Sequence, residues 1–590
     1  MSARELITEH LDLWTGAVTQ KSTRGRGRSG KVELTGIKRL RELILELAIQ
    51  GKLVIQNPDE EAATTLFSQI VEEKAQLIEK GTIKKPKKLP QIEASEIPFR
   101  IPGSWKFIRL GDAVEIIRGI TFPGSEKSKS PAPGRIACLR TSNVQDKIEF
   151  EDMLFIRSSF VSRKSQYINT HDIVMSMANS RELVGKVAII ETAPEKPTSF
   201  GGFLGVLRPI QIHPRYLMAV LRANSTRNTL IDSSSQTTNI ANISIGKLNP
   251  LVVGLPPREE QHRIVQKVDE LMALCDRLEQ QTSDQLEAHE TLVDTLLGTL
   301  TQSKNATELA DNWARLATHF DTLFTTEQSI DKLKQTILQL AVMGRLVEQG
   351  AGDTPPSALL EKISSERLEL AESGKIKLSS RHAALTSQEP APFAIRTSWH
   401  WTHLESLFAV VTDGDHQAPP KSEQGIPFLV IGNLNAGEIN FTSCKYVSED
   451  YFDNLDWSRK PTKGDLLYTV TGSYGIPIKV DTDRAFCVQR HVAILKATDS
   501  TPRDFIKLLL ASEYGLSYAD NVATGIAQKT VPLSGLRKMP VPLPPVQEQH
   551  RIVQKVDELM ALCDQLKERL NQAGETRCQL AEAVVDEALN

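Results

Sequence analysis

The sequence predicts an α+β protein with a pseudo-twofold internal repeat, in which two mixed α/β segments are set apart by long helices of coiled-coil spacing. Three observations carry this. Residues 262–276 read HRIVQKVDELMALCD, and residues 550–564 read the same fifteen letters at an offset of 288. Residues 37–54 (IKRLRELILELAIQGKLV) parallel residues 330–347 (IDKLKQTILQLAVMGRLV), with Gly51 against Gly344 and Gly81 against Gly374 at an offset of 293. Between these blocks lie two inserts, about 101–255 and about 396–545, of similar length and little shared sequence. Self-similarity on this scale marks copied supersecondary units. A duplication that keeps its frame while whole inserts diverge reads as two equivalent mounts for two different surfaces. The boundaries predicted are an N-terminal helical repeat region with a basic flexible segment (1–98), a first mixed domain (99–257), a central region of one long helix plus a helical segment (258–395), a second mixed domain (396–545) and a C-terminal helix (546–590).

Each element follows from its spacing. In the first frame Leu40, Ile44, Leu47 and Ala48 share a helix face and Gly51 is placed as its stop; Leu333, Ile337, Leu340, Ala341 and Gly344 repeat the set. A second helix follows each, ending near Gly81 and near Gly374. The inserts open on matching pairs, Ser104-Trp105 and Ser398-Trp399. Within them HDIVMSM (171–177) parallels GDLLYTV (464–470), aligning Asp172 with Asp465, and both read as short buried strands. The inserts close on GLPPREEQ (254–261) and PLPPVQEQ (542–549). Pro256-Pro257 ends the strand, and Glu259-Glu260 suit a helix N-terminus. Apolar residues then recur at Ile264, Val268, Leu271, Cys275 and Leu278, and again at Ile552, Val556, Leu559, Cys563, Leu566 and Leu570. Steps of four and three are those of a coiled-coil seam, although a core-facing stripe has the same spacing. The expected length of roughly 30 residues gives a stiff element of about 45 Å.

Composition bounds the class. With 40% hydrophobic residues in 590, the chain can bury sizeable cores. The start, MSARELITEHLDLW, lacks the apolar region of a secretion signal, and no stretch approaches a membrane span. Cys138, Cys275, Cys444, Cys487, Cys563 and Cys578 show no CxxC spacing, so neither zinc nor a disulfide framework is indicated and a reducing cytoplasm is expected. The net charge is −3, but residues 101–255 hold 19 Lys+Arg against 12 Asp+Glu, whereas residues 396–545 hold 15 against 16. The first insert is therefore the better suited to phosphates. A stretch from Lys21 to Arg41, with Glu33 its one acid, and the run Lys84-Lys85-Pro86-Lys87-Lys88 add basic patches, each readable as a solvated linker or a phosphate contact.

No motif for catalysis stands out. Residues 25–31 satisfy GxxxxGK, but Val32 stands where Ser or Thr should hold magnesium and no apolar strand precedes. HExxH, a GxSxG elbow and a cysteine–histidine cluster are absent from the sequence. So is the Asn/Asp-Pro-Pro-aromatic motif of amino-methyltransferases: Pro256-Pro257 and Pro544-Pro545 follow leucine. His262 and His550 recur within the repeat and read as structural; Cys275 and Cys563 read as small core residues.

LPPxxEQ followed by IVQKVDELMALCDxL, at 255–278 and 543–566, resembles the repeat of type I restriction–modification specificity subunits. The starts Ser104-Trp105-Lys106-Phe107 and Ser398-Trp399-His400-Trp401 are similar to the beginning of that family's target recognition domains, and the strands at Asp172 and Asp465 to their central strand. The resemblance spans nearly the whole chain. It implies two target recognition domains, each reading half of a bipartite asymmetric site in double-stranded DNA, separated by long antiparallel coiled-coil helices. It implies docking of two modification subunits, which use S-adenosylmethionine, and two restriction subunits, which use ATP and Mg2+, with no catalytic site, cofactor or metal on this chain and no membrane. Base or phosphate contacts need polar side chains at groove edges. The candidates are Arg118, Thr121, Arg140, Asn143, Ser176, Arg181, Gln236, Thr238 and Asn239 in the first insert. In the second they are Asp413, His416, Gln417, Asn433, Asn435, Ser473, Tyr474, Gln489, Arg490, His491, Gln528 and Lys529. The rival readings are a coiled-coil adaptor that binds only protein, favoured by the charge of the second insert, and a DNA methyltransferase or nuclease whose motifs are unrecognised.

Overall fold

A computed structural model describes residues 9–20, 32–232, 235–237, 240–303, 306–377, 391–415, 422–434, 437–526 and 528–589. The GxxxxGK stretch and most of the basic segment after Lys21 lie outside these residues, as do Thr238, Asn239, His416, Gln417 and Asn435. The chain forms two compact units, which regroup the five sequence segments. Unit 1 takes Val32–Ser283 together with the chain from Gly574 on, and unit 2 takes Asp284–Ala573.

In unit 1 the frame helix Thr35–Ile49 buries Leu40, Ile44, Leu47 and Ala48, the face expected of it. It ends on Gly51 at φ +71°, where Lys52 N–H bonds the Leu47 carbonyl (2.9 Å) and Gly51 N–H the Ala48 carbonyl (3.4 Å). This left-handed cap is open to glycine without strain. Helix Ala63–Glu79 closes on Gly81 in the same way. The insert contributes strands β1 (Lys106–Arg109), β2 (Val114–Arg118), β3 (Arg135–Leu139), β4 (Leu154–Arg157), β5 (Ile173–Ser176), β6 (Val187–Ile189), β7 (Thr198–Phe200), β8 (Leu204–Pro209) and β9 (Val252–Leu255). They make an antiparallel sheet ordered β2-β8-β5-β6, a sheet β7-β3-β4 in which β7 and β3 run parallel, and a ribbon β1-β9. Ile173, Val174 and Met175 of β5 are fully buried, as their unbroken apolar run requires.

Unit 2 repeats this strand for strand. Its insert supplies β10 (His400–His403), β11 (Val410–Asp413), β12 (Ile426–Leu429), β13 (Lys445–Val447), β14 (Leu466–Thr469), β15 (Pro477–Lys479), β16 (Cys487–Val488), β17 (Val492–Lys496) and β18 (Pro540–Leu543). The sheets are β11-β17-β14-β15, β13-β12-β16 with β12 and β16 parallel, and the ribbon β10-β18. Each of these nine strands of unit 1 thus has its counterpart nine labels later, with the same neighbours and directions, although the inserts share little sequence. A further small antiparallel sheet of Ser235–Thr237, Ile240–Asn242 and Ala178–Asn179 in unit 1 is matched in unit 2, among the described residues, by single bridges of Thr471 and Thr524 with Thr530.

The helices after each LPP are longer than the roughly 30 residues expected: Arg258–Gln302 has 45 residues and Val546–Leu589 has 44. No proline interrupts either, and past Leu278 the first helix buries Val293, Leu297 and Leu300 at helical spacing, so a packed apolar stripe carries it on. Each long helix contributes its head to one unit and its tail to the other. In unit 1, frame helix Thr35–Ile49 meets both parts: Arg41 pairs with Asp276 (2.6 Å) and Glu279 (2.8 Å) of the first long helix, and Arg39 with Glu582 (2.7 Å) of the second. In unit 2, frame helix Glu327–Val342 repeats the arrangement with the long helices exchanged: Lys334 pairs with Asp564, and Lys332 with Asp294 (2.7 Å). The seam residues Ile264, Leu271 and Cys275 are buried in unit 1's core beside Leu40, Ile44 and Ala581, with Val268 and Leu278 packed at its edge. Ile552, Val556 and Cys563 are buried in unit 2's core beside Leu333, Ile337 and Leu297, with Leu559, Leu566 and Leu570 at its edge. The two seams are therefore core-facing stripes of separate cores.

Candidate nucleic-acid interface

The shared motifs build the mounts. Asp172, buried just before β5, accepts the backbone N–H of Asn169 (2.7 Å) and two bonds from Arg208 on the neighbouring strand β8 (both 2.8 Å). Asp465, just before β14, accepts Thr462 N–H (2.7 Å), Ala497 N–H (2.9 Å) and the Lys496 ammonium on β17 (2.6 Å). Strand register places Arg208 and Lys496 at the same point opposite these carboxylates. In LPPxxEQ the acid stands in the first turn of the long helix, as expected of Glu260, and is in addition buried, acting as a latch. Glu548 accepts the Trp399 indole N–H (3.0 Å) and Arg396 (3.1 Å), and Glu260 accepts the Gln56 amide (2.5 Å). Burial raises both carboxyls above their usual range. The following Gln261 and Gln549 donate to Pro256 and Pro544 carbonyls (3.0 and 2.8 Å). So the start of each long helix is pinned, in unit 2 to the tryptophan that opens the insert and in unit 1 to Gln56 of the frame, which also accepts the Ser104 hydroxyl (2.9 Å). His262 packs edge-on against His213 with ring centroids 4.8 Å apart, a structural contact. Burial pushes the Cys138 thiol up to about 12 and that of Cys275 to about 11, which keeps both inert.

Above this framework, unit 1 opens a cleft of about 530 Å3 where β2, β3 and the β7–β8 turn end. Arg118, Thr121 and Arg140 line it together, as do Lys127, Phe122 and Phe203. A Cβ on Gly119 would meet the Gly201 carbonyl oxygen at 2.1 Å, so only glycine lets β2 pass this close to the turn. Arg118 is exposed and makes no ion pair among the described residues; Arg140 holds Asp152. Phe203 is 68% exposed at the rim. The lining includes three cations and no acid, a field suited to phosphate oxygens and to guanine edges.

The equivalent turn of unit 2 carries other chemistry. Gly414 repeats the close approach, its Cβ position lying 2.0 Å from the Val488 carbonyl oxygen. The backbone bond of Met177 N–H to Phe203 is matched by that of Val470 N–H to His491, which places Gln489, Arg490 and His491 where unit 1 has Gly201, Gly202 and Phe203. Arg490 is exposed, and burial together with Arg490 lowers the pKa of His491, so its ring is neutral at pH 7 and able both to donate and to accept. Gln528 and Lys529 are exposed on a neighbouring loop bridged to Thr471 through Thr530.

Other candidates belong to the mounts. Asn143 and Asn433 are buried twins: each side-chain oxygen accepts an N–H three residues back (Arg140 and Val430), and each amide donates to loop carbonyls at 2.9–3.0 Å. Ser176 and Asp413 are buried, and Tyr474 donates to Asp520 (2.5 Å). Ser473 is half-buried, its carbonyl accepting the Thr469 hydroxyl at 2.8 Å. Arg181 stands apart from the cleft lining, 3.5 Å from Asp232. Gln236 sits on the short strand Ser235–Thr237, which pairs with Ile240–Asn242. Lys127, Phe122 and Phe203 were not singled out in the sequence; the Gly-Gly-Phe turn at 201–203, an aromatic on two unshielding residues, was the available signal for the last. Among the described residues no cluster of His, Cys, Asp and Glu fits a metal ion, and no helix is long and apolar enough to cross a membrane.

Two copies of one framework, alike in strand order and latches and unlike in the side chains of their turns, define a duplicated scaffold for two distinct recognition surfaces. A family model described as the type I restriction modification DNA specificity domain matches residues 102–288 and 414–575. The EcoAI specificity subunit of a type I restriction enzyme from Escherichia coli is 35% identical over 606 residues, covering 100% of both chains, and the EcoEI specificity subunit, also from Escherichia coli, is 34% identical over 608 residues with the same coverage. The crystal structure of the HsdS subunit from Thermoanaerobacter tengcongensis is similar at 19% identity and a TM-score of 0.40, covering 84% of this chain and 99% of that one. The chain belongs to the family of type I restriction enzyme specificity subunits.

Proposed function

We propose that this chain reads a two-part asymmetric site in double-stranded DNA, one half-site per insert, and carries no catalysis of its own. The observation that carries this is the pairing of identical mounts with different turns: Arg118, Thr121, Arg140 and Phe203 in unit 1 against Gln489, Arg490 and His491 in unit 2. Base discrimination rests on such side chains, while a common sheet frame presents them. Modification subunits that bring S-adenosylmethionine, and restriction subunits that use ATP and Mg2+, supply the chemistry of the assembly. The two long helices, shared by both units, act as an antiparallel spacer that sets the gap between half-sites. Half-sites on one face of a duplex recur every 34 Å or so, and a 45-residue helix extends about 68 Å at 1.5 Å per residue. A four-residue insertion near Thr282 lengthens the helix by about 6 Å and is expected to change the tolerated gap without altering either half-site.

The test is to co-express the chain with its methylating partner and map modified adenines genome-wide. A split motif with a fixed gap is the expected result. Replacing residues 396–545 by another family member's insert is expected to change one half of that motif only. Methylation at unrelated sites, or a swap that changes both halves, contradicts the reading.

A further inference from the structure

Unit 1 carries a second basic hollow, of about 880 Å3, away from the cleft. It lies between the end of helix Ala63–Glu79, the lysine run that follows it and the start of β2. Lys80, Lys84, Lys85, Arg163 and Lys164 line it, all exposed and none in an ion pair among the described residues. The acid in its lining, Glu115, faces Arg208 at 3.9 Å. Lys74 closes one side, its ammonium tied to the carbonyls of Gly111, Asp112 and Val114. Five like charges gathered in one concavity repel one another unless an anion joins them.

The fold does not require these charges. The short turn Lys164–Gln166 corresponds to Trp457–Arg459 of unit 2, so Arg163 and Lys164 stand where unit 2 has Asp456 and Trp457. There the indole lies between Lys375 (6.0 Å) and Lys496 (4.8 Å). The same framework is thus completed by an aromatic ring in one unit and left as an open cationic hollow in the other. Gln166 then ties the basic turn to the reading cleft, donating to the Arg118 carbonyl at 3.3 Å. Strand β2 joins the two places: Val114, Glu115 and Ile116 line the hollow and Arg118 lines the cleft. Over four residues the strand covers about 13 Å, roughly four base pairs of duplex axis at 3.4 Å each.

We propose that this hollow grips the DNA sugar-phosphate backbone beside the half-site read by unit 1, as a sequence-independent clamp. The inference rests on the DNA-reading function proposed above. It commits to phosphodiesters; an acidic protein partner is the alternative the test must separate.

The variant carries Lys80→Gln, Lys84→Gln, Lys85→Gln, Arg163→Gln and Lys164→Gln in the full chain assembled with its modification subunit. Affinity is measured against salt on a duplex with the mapped motif and on a scrambled one. Each phosphate contact contributes about 0.9 to the slope of log K against log salt. The expected result is weaker binding to both duplexes by a similar factor, a slope shallower by about 3 or more, and an unchanged methylation motif. Arg118→Ala is the companion: it should weaken the motif duplex alone. If Arg118→Ala acts and the five-fold variant leaves affinity and slope unchanged, the clamp is wrong and the reading function stands. If the five-fold variant instead loses the modification subunit with the DNA slope intact, the hollow is a protein-docking site and the clamp is equally overturned. If neither variant affects DNA binding, the clamp is overturned and Arg118 is no reader, while the reading function stands or falls with the mapped motif.

Discussion

Asp465 and Lys496 show what one residue pair does for a mount. Lys496 is 1% exposed, and its ammonium reaches Asp465, the Thr462 hydroxyl and the Lys460 carbonyl. Removing the carboxylate leaves a buried charge without its counter-ion, which costs about 3–5 kcal/mol. Asp465→Ala is therefore expected to lower stability by about that much in chemical denaturation, and adding Lys496→Met should restore part of it, because the double variant buries no charge. A double variant less stable than Asp465→Ala alone would falsify the ion-pair account. The alignment of Asp172 with Asp465 was legible in the sequence. Their partners were not, because arginine stands in one unit and lysine in the other, and only strand register brings each opposite its acid. For the same reason Asn143 and Asn433 passed as surface readers. An asparagine amide serves a base edge or a loop carbonyl equally well, and the sequence does not say which is near.

At the scale of elements, the four aligned glycines divide into two kinds. Gly51, Gly81, Gly344 and Gly374 all end helices at positive φ, between +68° and +74°. A Cβ at Gly81 meets nothing within 4 Å, whereas one at Gly51 would lie 2.5 Å from Pro102 Cγ and 3.1 Å from the Trp105 ring. The first glycine supplies conformation alone; the second also supplies room for the tryptophan that opens the insert. Gly81→Ala should cost about 1–2 kcal/mol, the left-handed penalty. Gly51→Ala should cost about 3 kcal/mol or more, since overpacking adds to it. Equal losses in thermal unfolding would show that Trp105 yields freely and that helix stop and insert are not mechanically joined. The helix faces and stops were readable from period and glycine placement. The length of the long helices was not, because the stripe runs through the polar Thr282 before Val293, Leu297 and Leu300 are buried in the other core, beside ion pairs of Lys332 with Glu290 and Asp294.

For the whole molecule, the repeat records what was copied, which differs from what packs. The sequence order is frame, insert, long helix, twice over, yet unit 1 needs the tail of the second long helix, more than 500 residues from the frame helix it meets. Ala581 is 1% exposed in unit 1's core, Glu582 holds Arg39, and Lys52 donates to the Leu589 carbonyl at 2.6 Å. No linear reading finds this, since the tail of one copy and the frame of the other are neither adjacent nor similar. Truncation after Ala573 removes all three contacts from unit 1 and leaves unit 2 with its own chain intact. The first effect is the loss of packing over the outer side of helix Thr35–Ile49, where burial of apolar surface contributes about 25 cal/mol per Å2. Amides of Thr35–Ile49 should therefore lose hydrogen-exchange protection by a factor of ten or more, since about 1.4 kcal/mol of local stability is tenfold in protection. Amides of Glu327–Val342 should keep theirs, because the tail that covers that helix, around Glu290 and Asp294, lies within the retained chain. Equal loss in both frame helices would mean that the truncation acts on the molecule as one cooperative body, and unchanged protection in both would mean that the tail contacts contribute nothing to unit 1.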